Sequence, residues 1–234
     1  MSVNKNNNRD LITILSEINQ LYYSNRNETI SIGMKAYLKN KFDCYGIKKP
    51  DRDKLLKAYL PQLKNISMED QFRAVKWLWK KPQRELHYLA MEILFRNKKQ
   101  WTSDILSLFE EMVLSNSWWD SVDTIATTLI GHYFINWPEK KIKMVDKWST
   151  HPDMWMNRTA IIFQMKYGNK TDVDLLFRAI LPHLSSKEFF HQKAIGWALR
   201  QYSKTDAKTV AKFVSSHPLK PLSTREALRL ISAK

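Results

Sequence analysis

A helical pattern recurs along this chain at intervals of 32 to 35 residues. The segment RTAIIFQMKY at residues 158–167 is followed 35 residues later by KAIGWALRQY at residues 193–202. Asp123 lies 35 residues before Arg158, the start of the first segment, and Arg225 lies 32 residues after Lys193, the start of the second. Both are followed by similarly spaced apolar residues. A helix pair repeating every ~32 to 36 residues is typical of an α-solenoid, whose stacked pairs form a long concave face.

Apolar residues three and four apart, the spacing of a helix face, begin near the N-terminus. The first such set is Leu11, Ile14, Leu15 and Ile18. Five glycines in 234 residues are fewer than a strand-rich fold usually needs at its turns. The sequence therefore predicts an all-α protein, an α-solenoid of HEAT-like helix pairs, and leaves an irregular helical bundle as the alternative.

Loop signals are short, as in KPD at residues 49–51 and WP at residues 137–138. No linker rich in glycine, serine or proline interrupts the chain. We therefore predict a single domain over residues 1–234, with residues 1–9 as a flexible tail.

The chain carries 38 Lys and Arg against 23 Asp and Glu, a formal net charge of +15. Such a charge favours a polyanionic partner, either nucleic acid or an anionic membrane surface. The basic residues are spread along the whole chain instead of lying on one amphipathic helix, which favours nucleic acid. A merely basic protein without such a partner remains the alternative.

No apolar run approaches the roughly 20 residues that span a bilayer, and the polar N-terminus has no apolar core of a secretory signal. The lone cysteine, Cys44, excludes an intramolecular disulfide and a cysteine-based metal cluster. These features predict no membrane partner and a cytoplasmic protein, associated with the nucleoid in a prokaryote.

The repeat places Asp123, Arg158 and Lys193 at equivalent positions in successive repeats. Equivalent residues of a solenoid line up on one face, so we expect these three to form a row along the concave surface. The alternative is that each is simply the solvated start of its helix.

Two tryptophans share helix faces with members of this row. Trp119 lies four residues before Asp123, and Trp197 lies four residues after Lys193. Aromatic rings on such a face can stack on bases or hold a cation.

Basic residues suited to phosphate contacts follow from the same spacing. Arg158 and Lys193 are candidates, together with Lys166 and Arg200, which lie about two turns further along the same helices. Each could equally form a surface salt bridge.

Other chemistry is weakly signalled. The sequence lacks the histidine spacing of a zinc site, a glycine-rich phosphate loop and a Gly-x-Ser-x-Gly nucleophile motif. Asp120 and Asp123 have no evident third ligand for a metal ion. We therefore predict neither a metal nor a cofactor.

Four segments resemble the AlkD-type DNA alkylation repair glycosylases, a family built of HEAT-like repeats. They are SWWDSVD at residues 117–123, MWMNRTAIIFQMKY at 154–167, SSKEFF at 185–190 and QKAIGWALR at 192–200. The similarity extends from about Leu11 to Ile231.

This resemblance implies that Asp123 is the catalytic aspartate, that Trp119 and Trp197 are the two tryptophans of the DNA-binding surface, and that Arg158 contacts a phosphate. The stretch TISIGMKAYLKN at residues 29–40 resembles the second helix that active members place against DNA, with Tyr37 at the matching position. Lys48 stands where the family has glutamine, a departure at a predicted lesion contact.

The resemblance further implies a monomeric, monofunctional enzyme whose partner is double-stranded DNA containing N3- or N7-alkylated purines. The carboxylate would stabilise an oxocarbenium-like sugar during hydrolysis of the N-glycosidic bond. Because a solenoid offers a shallow surface, we expect catalysis without insertion of the base into a pocket. The competing classes are a non-catalytic binder of damaged or branched DNA and a protein-binding scaffold.

Overall fold

The computed structural model describes residues 10–231, and the predicted flexible tail at residues 1–9 lies outside the described residues. The described part is helical, with an isolated bridge between Asp43 and Gln83 and no β-strand. The all-α prediction is confirmed. Contacts divide the chain into two compact units, Met1–Ile105 and Leu106–Lys234. A single domain over residues 1–234 stays a prediction.

The first unit consists of α-helices and one short 3-10 turn. Its helices are α1 (Leu11–Ser24), α2 (Glu28–Tyr37), α3 (Lys49–Leu56), α4 (Met68–Trp79) and α5 (Arg84–Arg96), with the 3-10 turn at Lys98–Gln100. The apolar face predicted near the N-terminus is the buried face of α1. The predicted loop at residues 49–51 is wrong, because Lys49 and Pro50 form the first turn of α3, where proline lacks only an N–H that a helix leaves unpaired anyway.

A buried carboxylate fixes the loop that follows α2. Glu85 is fully buried and accepts hydrogen bonds from the backbone N–H groups of Tyr45 (3.0 Å), Gly46 (2.9 Å) and Ile47 (3.2 Å). Gly46 has a φ of +83°, and a Cβ there would lie 2.0 Å from the carbonyl oxygen of Asn27, the N-cap of α2. Only glycine allows this approach, so the loop holds α2 at its first turn.

The second unit continues from α6 as a series of short helices. They are α6 (Ile105–Leu114, whose first residue ends the first unit), α7 (Trp119–Thr124), α8 (Gly131–Asn136), α9 (Lys141–Ser149), α10 (Met154–Ile162), α11 (Val173–Ile180), α12 (Phe189–Tyr202), α13 (Ala207–Ser216) and α14 (Pro221–Leu228). Carboxylate N-caps start several of them. Asp153, Asp172 and Asp206 accept backbone N–H groups in the first turns of α10, α11 and α13.

The helices of the second unit pack as successive pairs. Helix α9 packs on α10, α11 packs on both of these, and α13 packs on α14, while α10 contacts α12 and α12 contacts α14. Each pair therefore meets its neighbours along the chain, which is the arrangement of an α-solenoid. The predicted basic concave face stays a prediction.

A π-helical turn, Ile125–Ile130, joins α7 to α8 without a break in the helix. The turn begins two residues after Asp123, and the hydroxyl of Thr127 donates to the backbone carbonyl of Asp123 at 2.7 Å. Gly131, the first residue of α8, leaves room for α10, since a Cβ there would lie 2.9 Å from the carbonyl oxygen of Phe163. Such turns widen a helix locally and are frequent at functional sites.

Candidate functional site

Asp123 on α7 and Arg158 on α10 form a bidentate ion pair across the two helices. The Nε of Arg158 donates to Oδ1 of Asp123 at 2.7 Å, and its second terminal nitrogen donates to Oδ2 at 2.8 Å. The side chain of Asp123 is 16% exposed and that of Arg158 is 5% exposed. The two residues, which the repeat places at equivalent positions, are therefore in direct contact, and neither is a solvated helix start. A row that includes Lys193 along a concave surface stays a prediction.

The rest of the Arg158 guanidinium is also engaged. Its other terminal nitrogen donates to the backbone carbonyl of Phe190 at 2.8 Å, and its carbon lies 5.8 Å from the centre of the Phe190 ring. Phe190 packs in turn on Trp118 and Trp155, with ring centres 5.3 and 4.8 Å away. The Phe190 ring, with the two indole rings packed on it, therefore lies beside the Arg158 end of the ion pair.

Burial and charge act in opposite directions on the Asp123 carboxyl. Burial raises its pKa, the two hydrogen bonds and the charge of Arg158 oppose this, and the nearby Asp120 adds to the rise. Both carboxylate oxygens accept from an always-cationic guanidinium, an arrangement that fits the ionised form of Asp123. The site thus holds a carboxylate charge close to an apolar cluster, where electrostatic interactions are stronger than in water.

The two predicted tryptophans are half-buried. Trp119 is the first residue of α7, one turn before Asp123, and Trp197 lies in the middle of α12. Half-burial fits a large ring that packs at one edge and presents another to solvent. Contacts of either ring with DNA stay predictions.

Lys193 and Arg200 both bind one carboxylate, that of Glu226 on α14. The Nζ of Lys193 donates to Oε1 at 2.9 Å, and Arg200 donates to Oε2. Glu226 on α14 therefore faces Lys193 on α12. Lys166, just beyond α10, is exposed and donates to the hydroxyl of Thr128 at 2.5 Å.

The predicted phosphate contacts of these basic residues are untested. Arg158 differs from the others, because its nearly complete burial and its three acceptors leave little of the guanidinium for a phosphate. Lys193, Arg200 and Lys166 keep part of their side chains in solvent.

Tyr37 and Lys48 belong to the first unit. Tyr37 is the last residue of α2 and is exposed, as is Ile32 on the same helix. Lys48 is exposed and stands immediately before α3. Their predicted contacts with DNA stay predictions.

Three features of the site were missed by the sequence analysis. Glu226 was overlooked because the 32-residue step from Lys193 reaches its neighbour, Arg225. Phe190 was quoted only within a motif, although its carbonyl holds Arg158. The π-helical turn has no recognisable sequence signature.

Within residues 10–231, no group of three or more His, Cys, Asp or Glu side chains is placed to hold a metal ion. In the same part of the chain, no helix has the length and apolarity required to cross a membrane.

The sequence matches the family of DNA alkylation repair enzymes over residues 18–231. The structure is similar to a solved structure described as a predicted DNA alkylation repair enzyme from Enterococcus faecalis. That protein is 30% identical, the TM-score is 0.84, and the match covers 89% of this chain and 98% of the other. A comparison with curated proteins gives no match.

This chain belongs to the DNA alkylation repair enzyme family. Membership supports an enzymatic role in the repair of alkylated DNA and implies DNA binding. The resemblance stated from the sequence is thereby confirmed for the family, and its narrower AlkD-type form stays a prediction.

Proposed function

We propose that this protein is a monofunctional DNA glycosylase that excises N3- or N7-alkylated purines from duplex DNA. The observation that carries the proposal is the fixed carboxylate of Asp123, which keeps 16% of its side chain exposed beside the half-buried Trp119. Even a partly exposed carboxylate opposes DNA binding, so we infer that the one in this protein of charge +15 serves the reaction.

The substrate chemistry fits a single carboxylate. A purine alkylated at N3 or N7 is already cationic, so it leaves with the electrons of the C1′–N bond as a neutral base. The sugar becomes an oxocarbenium-like cation, which ionised Asp123 would stabilise. A water molecule then bonds to C1′ and releases a proton, for which Asp123 is the nearest acceptor in the proposal. No general acid is required.

Other residues would position the DNA. Trp119 and Trp197 would pack against the deoxyribose and hold the cationic centre by their ring faces. Lys166, Lys193 and Arg200 would contact phosphates. In the first unit, Tyr37 and Lys48 would contact the duplex, as the family resemblance implies.

Arg158 has a positioning role in this proposal. Its bidentate hydrogen bonds orient both oxygens of Asp123 and favour the ionised carboxylate at neutral pH. This role replaces the phosphate contact as the main expectation for Arg158, because its donors are already directed at protein acceptors.

The same ion pair favours one alternative function. Because Arg158 neutralises Asp123, the carboxylate could be purely structural, and the protein would then bind damaged DNA without cleaving a bond. A protein-binding scaffold is disfavoured by the family to which the chain belongs.

The test measures release of free base from a duplex containing one N7-methylguanine. Wild type is compared with Asp123→Asn and with Asp120→Asn, a control that makes the same charge change one turn earlier on α7. We expect Asp123→Asn to lower excision roughly 100-fold or more, the size of effect seen when a transition-state charge loses its partner. Asp120→Asn should keep excision within a few-fold of wild type.

DNA affinity separates the alternatives. Asp123→Asn should bind the duplex as tightly as wild type or more tightly, since a negative charge has been removed. A proportional fall of binding and excision would make Asp123 structural. Absence of release by wild type, with binding intact, would establish the binding-only function.

A further inference from the structure

Helices α12 and α14 make an unusually close approach at Gly196. A Cβ at this position would lie 2.4 Å from the Cβ of Glu226 and 3.1 Å from the carbonyl oxygen of Ser223. The hydroxyl of Ser223 also donates to the carbonyl of Gln192 at 3.2 Å. Glycine therefore allows Glu226 to lie directly against the face of α12 that carries Lys193, Trp197 and Arg200.

The carboxylate lies deeper than the two cations that it binds. Glu226 is 12% exposed, whereas Lys193 is 36% and Arg200 is 22% exposed. Each oxygen takes one cation, and the hydrogen bond from Lys193 is the main cause that lowers the pKa of Glu226. Lys and Arg have three and five N–H donors, so both keep donors after this contact.

The spacing on α12 places these cations around Trp197. Lys193 lies one turn before the tryptophan and Arg200 lies one turn after it, so all three share a helix face. The three charged groups sum to one net positive charge, which matches one DNA phosphate.

We propose that Glu226 is a positioning residue that holds Lys193 and Arg200 together as a two-pronged site for one phosphate next to Trp197. This inference rests on the proposed function, since it assigns a DNA contact to that site. A carboxylate beneath two cations fixes long side chains before DNA arrives and lowers the entropy lost on binding.

For Glu226→Gln, a positioning role predicts a change in DNA affinity opposite in sign to the change that net charge alone predicts. Glu226→Gln adds one positive charge, and a protein without a built phosphate site would then bind DNA more tightly. If Glu226 positions the cations, the variant binds undamaged duplex about tenfold more weakly, and the slope of log affinity against log salt becomes shallower by about one. Asp146→Asn is the matched control, because Asp146 forms a bidentate but exposed pair with Arg178 in the same unit. It should bind as wild type or slightly more tightly.

A double background separates positioning from loss of structure. In a variant with Lys193→Met and Arg200→Met, Glu226→Gln should not weaken DNA binding further, and the loss of its negative charge should only tighten binding. An equal weakening in both backgrounds would mean that Glu226 acts through the general stability of α14. Unchanged or tighter binding by Glu226→Gln in the wild-type background would also overturn the inference.

The two proposals fail differently. If the wild-type protein excises the base and Glu226→Gln leaves the salt dependence of DNA affinity unchanged, the glycosylase proposal holds and the phosphate site is refuted. If Glu226→Gln weakens DNA binding as predicted but the wild-type protein releases no base, the phosphate site holds and the glycosylase proposal is refuted. Should Glu226→Gln prove unfolded by circular dichroism, the single variants Lys193→Met and Arg200→Met decide, since their binding losses should not add if they serve one phosphate.

Discussion

Removing either partner of the ion pair between Asp123 and Arg158 should strongly destabilise the second unit. Breaking a buried ion pair by removing one partner typically costs about 3 to 5 kcal/mol, because the remaining charge is left uncompensated. Asp123 keeps 16% of its side chain exposed, so we expect the lower end, about 3 kcal/mol, for Arg158→Met and for Asp123→Asn.

The double variant leaves neither charge unpaired. It still loses the hydrogen bond from Arg158 to the carbonyl of Phe190, worth about 1 kcal/mol, and some packing. We therefore expect the double variant to be destabilised by about 1 to 3 kcal/mol instead of the additive value of about 6, a coupling energy of at least about 3 kcal/mol.

Urea unfolding followed by circular dichroism at neutral pH measures these values. The exposed pair of Asp146 and Arg178 supplies the control cycle, with an expected coupling below about 1 kcal/mol because both charges are solvated. The reasoning is refuted if the buried pair couples no more strongly than the exposed one.

Three further predictions concern pH and packing. Burial raises the pKa of Asp123, so excision should fall on acidification at a pH above the usual range of an aspartate, and Arg158→Met should move the midpoint of the pH–rate profile higher still. Burial, followed by the charge of His191, lowers the pKa of His183 from 6.5 to about 4. As pH drops from 6.5 toward 4, the unfolded chain binds the proton before the folded protein does, so the folding stability should fall. Unfolding measured at pH 6.5 and near pH 4 should show a loss of stability on the order of 1 kcal/mol smaller in His183→Gln than in the wild type. Gly196→Ala should separate α12 from α14, so it should lower the melting temperature and weaken DNA binding as Glu226→Gln does. An unchanged melting temperature and unchanged DNA affinity would contradict the close approach of the two helices.

The helical spacing of the sequence predicted part of what positions the site. Asp123 and Arg158, which are 35 residues apart, are in direct contact, because equivalent helices of successive pairs pack side by side. The apolar spacing at Leu11 and Ile14 likewise predicted the buried face of α1.

What the sequence could not predict depends on interhelical geometry. The interval between equivalent residues is shorter before α14 than before α12. The 32-residue step from Lys193 reaches Arg225, whereas the residue that faces Lys193 is Glu226. Arg158 was predicted to contact a phosphate because an arginine in a basic protein gives no sign of a protein partner. The burial of its guanidinium follows from the packing of α10 between α7 and α12.

The charged contacts between successive helices bear on how the second unit unfolds. Arg158 joins α10 to Asp123 on α7 and to Phe190 on α12, while Glu226 joins α14 to two cations on α12. In repeat proteins, stability is approximately the sum of repeat and nearest-neighbour terms, and strong neighbour terms make repeats unfold together. These contacts tie helices α7, α10, α12 and α14 into one cooperative block. Fraying from the α14 end would therefore begin with the loss of two ion pairs at once.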